Sequence, residues 1–92
     1  MAQPNDDLLA LKNLGAASVN ILHAIGVNNY DDLKNIGSVE AYAKIKTRGI
    51  HVSKVMLYAL EGALLNVQWN ELDESLKTNL VQQADERLNG AH

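Results

Sequence analysis

Leu11-Lys12-Asn13-Leu14-Gly15 returns further along the chain as Leu33-Lys34-Asn35-Ile36-Gly37, with Leu exchanged for Ile. Each copy precedes a helix-like stretch that ends in glycine, at Gly26 and at Gly49. The repeat therefore predicts two similar hairpin-then-helix units set back to back. A glycine-containing hairpin between short helices can bare backbone N–H groups at a helix start, where a phosphate can dock. That makes the pair of hairpins the first place to look for function.

The flanking sequence is helical in pattern. Asn5 is an N-cap candidate, and Asp6 and Asp7 suit the positive end of a helix dipole, so a short helix is expected from Asp6 to about Lys12. A second helix reads Ala16 to Ile25, with Val19 and Leu22 inward. Asn29 can cap a third, Tyr30 to about Asn35, burying Tyr30, Leu33 and Ile36. Ser38 is the cap expected for a fourth, Val39 to about Arg48, with Val39, Tyr42 and Ile45 as its apolar stripe. Ser53 is the next cap. The helix after it, to about Val67, is the most apolar of the chain and should be central, through Val52, Val55, Met56, Ala59, Leu60, Ala63, Leu64 and Val67. Trp69 should cover one end of the core. Asn70 or Asp73 then caps a last helix, on which Leu72, Leu76, Leu80, Ala84 and Leu88 recur at intervals of four. No strand-like alternation of useful length occurs. The expected fold is all-α: a compact bundle of five or six short helices with tandem helix-hairpin-helix-like units, one domain over residues 1–92 with its core at about 6–88.

Composition agrees with this reading. The chain of 92 residues is 47% hydrophobic and 21% charged, a globular balance, with room for one domain. It has no cysteine, which excludes disulfides and thiolate metal sites. The polar, acidic start is not a signal peptide, and Glu61 and Gly62 interrupt the most apolar stretch well short of a membrane span. A cytoplasmic protein with no membrane partner is expected, either an entire small protein or a piece of a larger one.

The net charge of −3 argues against a general nucleic-acid glue, yet it is unevenly spread. Residues 12–54 carry six cations against three carboxylates; residues 55–92 carry two against six. The hairpin half is basic. Nucleic-acid contact would use Lys12, Asn13, Gly15 and Ser18 at the first hairpin and Lys34 and Gly37 at the second. Lys44, Lys46, Arg48 and Lys54 would supply a basic surface. No aromatic residue is interleaved with those cations, so stacking on single strands has no support. Helix C-terminal position is by itself a sufficient reason for Lys44, Lys46 and Arg48, and turn geometry for Gly15. Glu40 lies one turn into its helix and would repel a phosphate at the second hairpin.

Signs of catalysis and cofactors are absent from the pattern. His23, His51 and His92 do not form a ligand set. Ser18, Ser38 and Ser53 occupy cap-like places, with no nucleophile elbow and no partner His. Glu61, inside an apolar helix, reads as a structural acceptor or an exposed position. Gly62 beside it costs ~1 kcal/mol of helix propensity against Ala, which close approach of another helix would offset. No catalytic residue, metal or cofactor is assigned.

These residues resemble a known arrangement. Leu11 through Gly26-Val27 to Asp32-Leu33 is similar to a helix-hairpin-helix motif, whose hairpin reads hydrophobic-x-Gly-hydrophobic-Gly; Asn13 stands here in place of the first glycine. More closely, the chain resembles the C-terminal domain of the TfoX/Sxy family of bacterial competence regulators. The matching pieces are Asn13-Leu14-Gly15 with Ser18, Gly26-Val27, Leu33, Ile36-Gly37 and Ala41-Tyr42. Val52-Ser53, the run Ala59-Leu60-Glu61-Gly62-Ala63-Leu64 and Trp69 complete them. The match runs from about Leu11 to Ala84. Members with a regulator's architecture carry a separate N-terminal domain, for which this chain has no room. The resemblance implies an all-helical domain with no catalytic residues, working in regulation of DNA-uptake competence or transcription. Its expected partner is a protein of that regulation. The alternative is duplex DNA gripped by the hairpin amides, and a homodimer is a further option.

Overall fold

The computed structural model describes residues 6–90. Six α-helices and one 3-10 turn follow each other without a strand among the described residues: α1 (Asp6–Leu9), α2 (Ala16–Ala24), α3 (Tyr30–Ile36), α4 (Ser38–Thr47), α5 (Lys54–Leu65), the 3-10 turn (Trp69–Glu71) and α6 (Glu74–Asn89). The radius of gyration, 12.6 Å, is that of a compact chain of this length. The expected Asn5 cap lies outside the described residues.

Helix ends follow local chemistry. Asn29 caps α3 by accepting from the Asp32 N–H at 2.8 Å, and Ser53 caps α5 through the Val55 N–H at 3.3 Å. The Asp7 carboxylate of α1 accepts from the Tyr30 N–H at 3.1 Å, tying α1 to the start of α3. Helix α2 closes at Gly26 (φ +88°) with the Val27 N–H bonded back to the Leu22 carbonyl at 2.9 Å. Helix α4 closes the same way at Gly49, Ile50 bonding to Ile45. Helix α5 ends on Asn66 in the left-handed region (φ +62°) and stops at Leu65, two residues before the expected end.

Three local expectations are corrected. Ser38 does not cap α4: it is the first helical residue, nearly buried, and Gly37 is the N-cap without a side-chain bond. Ser18 makes no cap bond either, and α2 begins after Gly15 with no side-chain cap. Helix α1 stops at Leu9 because the first copy of the repeat turns instead of continuing the helix.

Leu8, Val19, Leu22, Leu33, Ile45, Leu57 and Leu60 are almost wholly buried and form the centre of the core. Helix α5 is buried on several sides, through Met56, Leu57, Ala59, Leu60, Gly62 and Ala63. Leu57 joins it although the expected apolar set omits it; it stands three residues before Leu60 and seven before Leu64. Val55 goes the other way and is 41% exposed. On α6 only Leu80 and Ala84 are fully covered; Leu76 and Leu88 pack at the margin. Helix α4 lies between α5 and α6, so the second hairpin is held by the two longest helices.

Candidate functional site

The two copies of the repeat adopt different structures. In the first, Leu11 to Gly15 is a turn, and Asn13 sits in the left-handed region (φ +73°). Asparagine tolerates that region better than most residues, which suits it to the position that a glycine fills in the similar motif. Its side chain then reaches inward. Nδ2 donates to the Val67 carbonyl at 2.9 Å and to the Ala59 carbonyl at 3.4 Å; Oδ1 accepts from the Trp69 N–H at 3.0 Å. The amide thus bonds backbone groups at the end of α5 and the start of the 3-10 turn. Gly15, by contrast, has an ordinary φ of −109°, and a Cβ built there meets nothing within 4 Å.

Gly62 is the other half of this contact. A Cβ on Gly62 would lie 2.6 Å from Asn13 Nδ2 and 2.7 Å from the Val67 carbonyl oxygen. The close approach expected at Gly62 therefore exists, but the neighbours are a hairpin side chain and the chain's own next turn, not another helix.

In the second copy, Leu33 to Ile36 is the last turn of α3, and Gly37 alone makes the bend at φ +84°. Ser38 then donates its hydroxyl to the Glu61 carboxylate at 2.7 Å. Glu61 is held as a structural acceptor, on the side chain beyond the hairpin and not on its backbone. Gly62, against which Asn13 sits, and Glu61 are about 100° apart around α5, so the hairpins engage that helix on neighbouring faces.

Each hairpin opens on a different surface. Beside the first runs a groove of about 280 Å³ between α2 and α5. Ile21, Val52, Val55, Met56, Ala59 and Trp69 make it largely apolar, and Ser18 lies at its wall. Trp69 stacks on Tyr58, ring centroids 6.1 Å apart, and the Lys77 ammonium lies 5.4 Å from the indole and 5.6 Å from the phenol ring. The second hairpin opens on a depression lined by Gly37 and Ser38 together with Glu40, Glu61, Leu64 and Leu76. Two carboxylates at that mouth disfavour an anion.

The cations do not form one ridge. Lys12, Lys34, Lys44, Lys46, Arg48 and Lys54 are all exposed. Lys12 and Lys34 belong to separate hairpins. Lys46 lies over the Tyr42 ring at 5.9 Å and donates to the Val52 carbonyl at 3.4 Å, while Lys44 and Arg48 line a cleft of about 350 Å³ with Arg87 of α6. Arg87 grips Glu40 through Nε and through Nη2, the latter at 3.0 Å from Oε2. That hydrogen bond holds the Glu40 carboxyl below its ordinary range, against burial, which raises it; the charges of Arg87 and Lys44 help. Sequence reading assigned Arg87 no role. It shares an acidic helix with Lys77, and its partner is distant in the chain.

Among the described residues no three His, Asp or Glu side chains gather where a metal ion could sit. His92 lies outside the described residues. No described helix is long and apolar enough to cross a membrane.

With the helical layout and hairpin chemistry in view, the sequence matches the TfoX C-terminal domain family over residues 4–84. The chain belongs to that family. No curated protein matches the sequence. The TfoX C-terminal-like fold is similar to two crystal structures from Listeria monocytogenes. One, an uncharacterized protein in a triclinic form, is 35% identical, with 90% of this chain and 93% of that one covered at a TM-score of 0.79. The other, a protein of unknown function in a tetragonal form, is 33% identical, with 85% and 96% covered at a TM-score of 0.78.

Proposed function

We propose that this TfoX C-terminal-like domain is a non-enzymatic, cytoplasmic protein-interaction module in the regulation of transcription or DNA-uptake competence. The α2–α5 groove is its docking face. One observation carries the reading: beside the first hairpin, Val55 is exposed among Ile21, Val52, Met56 and Trp69, where core-facing spacing would have buried it. Apolar side chains of a partner helix fit such a channel. The hairpin itself has little left to offer a ligand on its inner side, because the Asn13 amide is spent on α5 and Trp69. Family membership supports the regulatory setting.

The test is capture of partners from nuclease-treated extract of competent cells. Wild type should retain a partner, and Val55→Arg should lose it with an unchanged circular dichroism spectrum. Retention by Val55→Arg would remove the groove from the proposal. Disappearance of every partner on nuclease digestion would end the protein reading.

A second reading, duplex DNA, is favoured by Gly15. Neither its backbone angle nor an internal neighbour requires glycine, and the α2 start behind it carries no side-chain cap. Lys12 is exposed nearby. DNA binding through this hairpin would weaken with salt at a log–log slope of about −0.9 per phosphate, and Lys12→Ala would flatten the slope. Lys34→Ala should change it less, because Glu40 and Glu61 face the second hairpin.

A further inference from the structure

The charged cleft between α4 and α6 lies apart from the first hairpin and adjoins the second through Glu40, which lines both depressions. Glu40, Lys44 and Arg48 follow at intervals of four on α4 and so share one face. Arg87 crosses from α6 and closes a two-point grip on Glu40. Ile25 and Ala43 supply an apolar floor, and Thr47 adds a hydroxyl. Three cations thus meet one carboxylate, and that carboxylate belongs to Arg87. Lys44 and Arg48 have no ion-pair partner among the described residues.

We infer that this cleft docks an acidic, leucine-bearing peptide segment of a partner protein, with Lys44 and Arg48 holding its carboxylates and Ile25 and Ala43 taking its apolar side chain. The inference rests on the protein-partner reading above and names that partner's chemistry. Charge complementarity fixes the sign of the occupant. The grip of Arg87 on Glu40 shows that the cleft accommodates a carboxylate in the forked geometry arginine favours. The floor decides between peptide and nucleic acid. A phosphodiester backbone gains nothing from Ile25 and Ala43, whereas an apolar peptide side chain uses them. Arg87 offsets the charge of Glu40 for either occupant.

Fluorescence anisotropy tests this with a labelled synthetic peptide of glutamates interspersed with leucine. Wild type should bind it, more weakly as salt rises. The double variant Lys44→Glu/Arg48→Glu should bind roughly tenfold more weakly or worse, since reversing interface charges mainly removes complementarity. The reversals put carboxylates at the C-terminal end of α4 and beside Glu40, so its thermal melt should fall slightly while its circular dichroism spectrum at the assay temperature matches wild type. Lys12→Glu/Lys34→Glu should leave the affinity unchanged. An all-glutamate peptide should bind less well than the leucine-bearing one.

No binding by wild type, or full affinity in the double variant, would overturn the assignment. So would a duplex oligonucleotide that outcompetes the peptide and is itself lost in the double variant. Self-association of wild type, by sedimentation, that the same variant abolishes would hand the cleft to a second copy and equally overturn it. If the peptide fails while Val55-dependent capture survives, only the cleft is wrong. If capture is lost to nuclease, the protein reading has failed whatever the peptide does.

Discussion

The two copies of the repeated pentapeptide differ in only one residue, yet they fold differently. Leu11 to Gly15 is a turn whose third residue takes the left-handed backbone; Leu33 to Gly37 is helical until its fifth. Asn13 is therefore bent and inward, whereas Asn35 is helical and exposed. Local propensity cannot account for the difference, because the local sequence is nearly identical. The cause lies more than 40 residues away, in the carbonyls of Ala59 and Val67 and the N–H of Trp69, which need the Asn13 amide. Gly62 makes room for it. The second copy has no such receiver, and it engages α5 one residue beyond the repeat, through Ser38 and Glu61.

Breaking the first copy should have the largest effect. Asn13→Ala leaves the Val67 carbonyl and the Trp69 N–H without their partner and puts a Cβ-bearing residue with no compensating bond at φ +73°. Lost bonds and left-handed strain together predict about 3 kcal/mol of destabilisation in urea unfolding. Asn13→Gly relieves the strain and should recover about 1 kcal/mol of it. Equal losses for the two variants would show that backbone strain plays no part.

Gly62→Ala comes next. Helix propensity alone favours alanine by ~1 kcal/mol. Here the added Cβ meets the Val67 carbonyl oxygen at 2.7 Å, and a backbone atom cannot swing aside. A net loss of about 1–3 kcal/mol is expected, read as a lower denaturation midpoint. In the double variant Asn13→Ala/Gly62→Ala the losses should add to less than their sum, because removing the amide clears one of the two obstacles. Strict additivity would separate the two sites.

These first two effects mark where sequence reading stopped. The helices were legible, since amphipathic spacing and cap residues act locally: Asn29 and Ser53 cap where expected, and Leu80 and Ala84 line the buried face of α6. The peculiarity of Gly62 was legible too, as a cost that some close contact must offset. Its partner was not, because nothing in periodicity links position 62 to position 13. The same holds for Glu40 with Arg87, which come together only when α4 and α6 pack. Of the predicted nucleic-acid residues, Asn13 turned out to face the core side of the hairpin, and Lys44, Lys46 and Arg48 divided between two faces of α4. Neither outcome follows from residue type. Serine suits a cap, which points to Ser38, but Gly37 takes that place because the bend needs a positive φ.

At the second copy the expected effect is smaller. Ser38→Ala removes one hydroxyl bond to Glu61, and the carboxylate, only half-buried, can turn to water. About 1 kcal/mol should be lost. A cost as large as that of Asn13→Ala would mean that both hairpins lock α5 equally.

The Glu40–Arg87 pair, beside the second hairpin, gives a pH signature. Its folded carboxyl lies below the ordinary 4.5, chiefly through the hydrogen bond from Arg87. A depressed carboxylate contributes stability that is complete above the unfolded value and lost as pH falls through the folded one. The Tm of wild type should therefore exceed that of Glu40→Gln near neutrality, and the gap should close on acidification below 4.5. A gap that widens in acid would contradict the pairing.

Asn35→Ala should do least, and it tests the comparison most cleanly. Asn35 occupies the position equivalent to Asn13, between the same lysine and a branched aliphatic residue. It is exposed inside α3, so alanine removes no buried bond and slightly favours the helix. Its unfolding free energy should stay within about 0.5 kcal/mol of wild type. The same chemical change at two matching places would then differ several-fold in cost. That difference would measure what the Asn13 contacts to α5 and the Trp69 turn contribute beyond the pentapeptide. A large loss at Asn35 would instead return the cause to the repeat and leave Gly62 without its explanation.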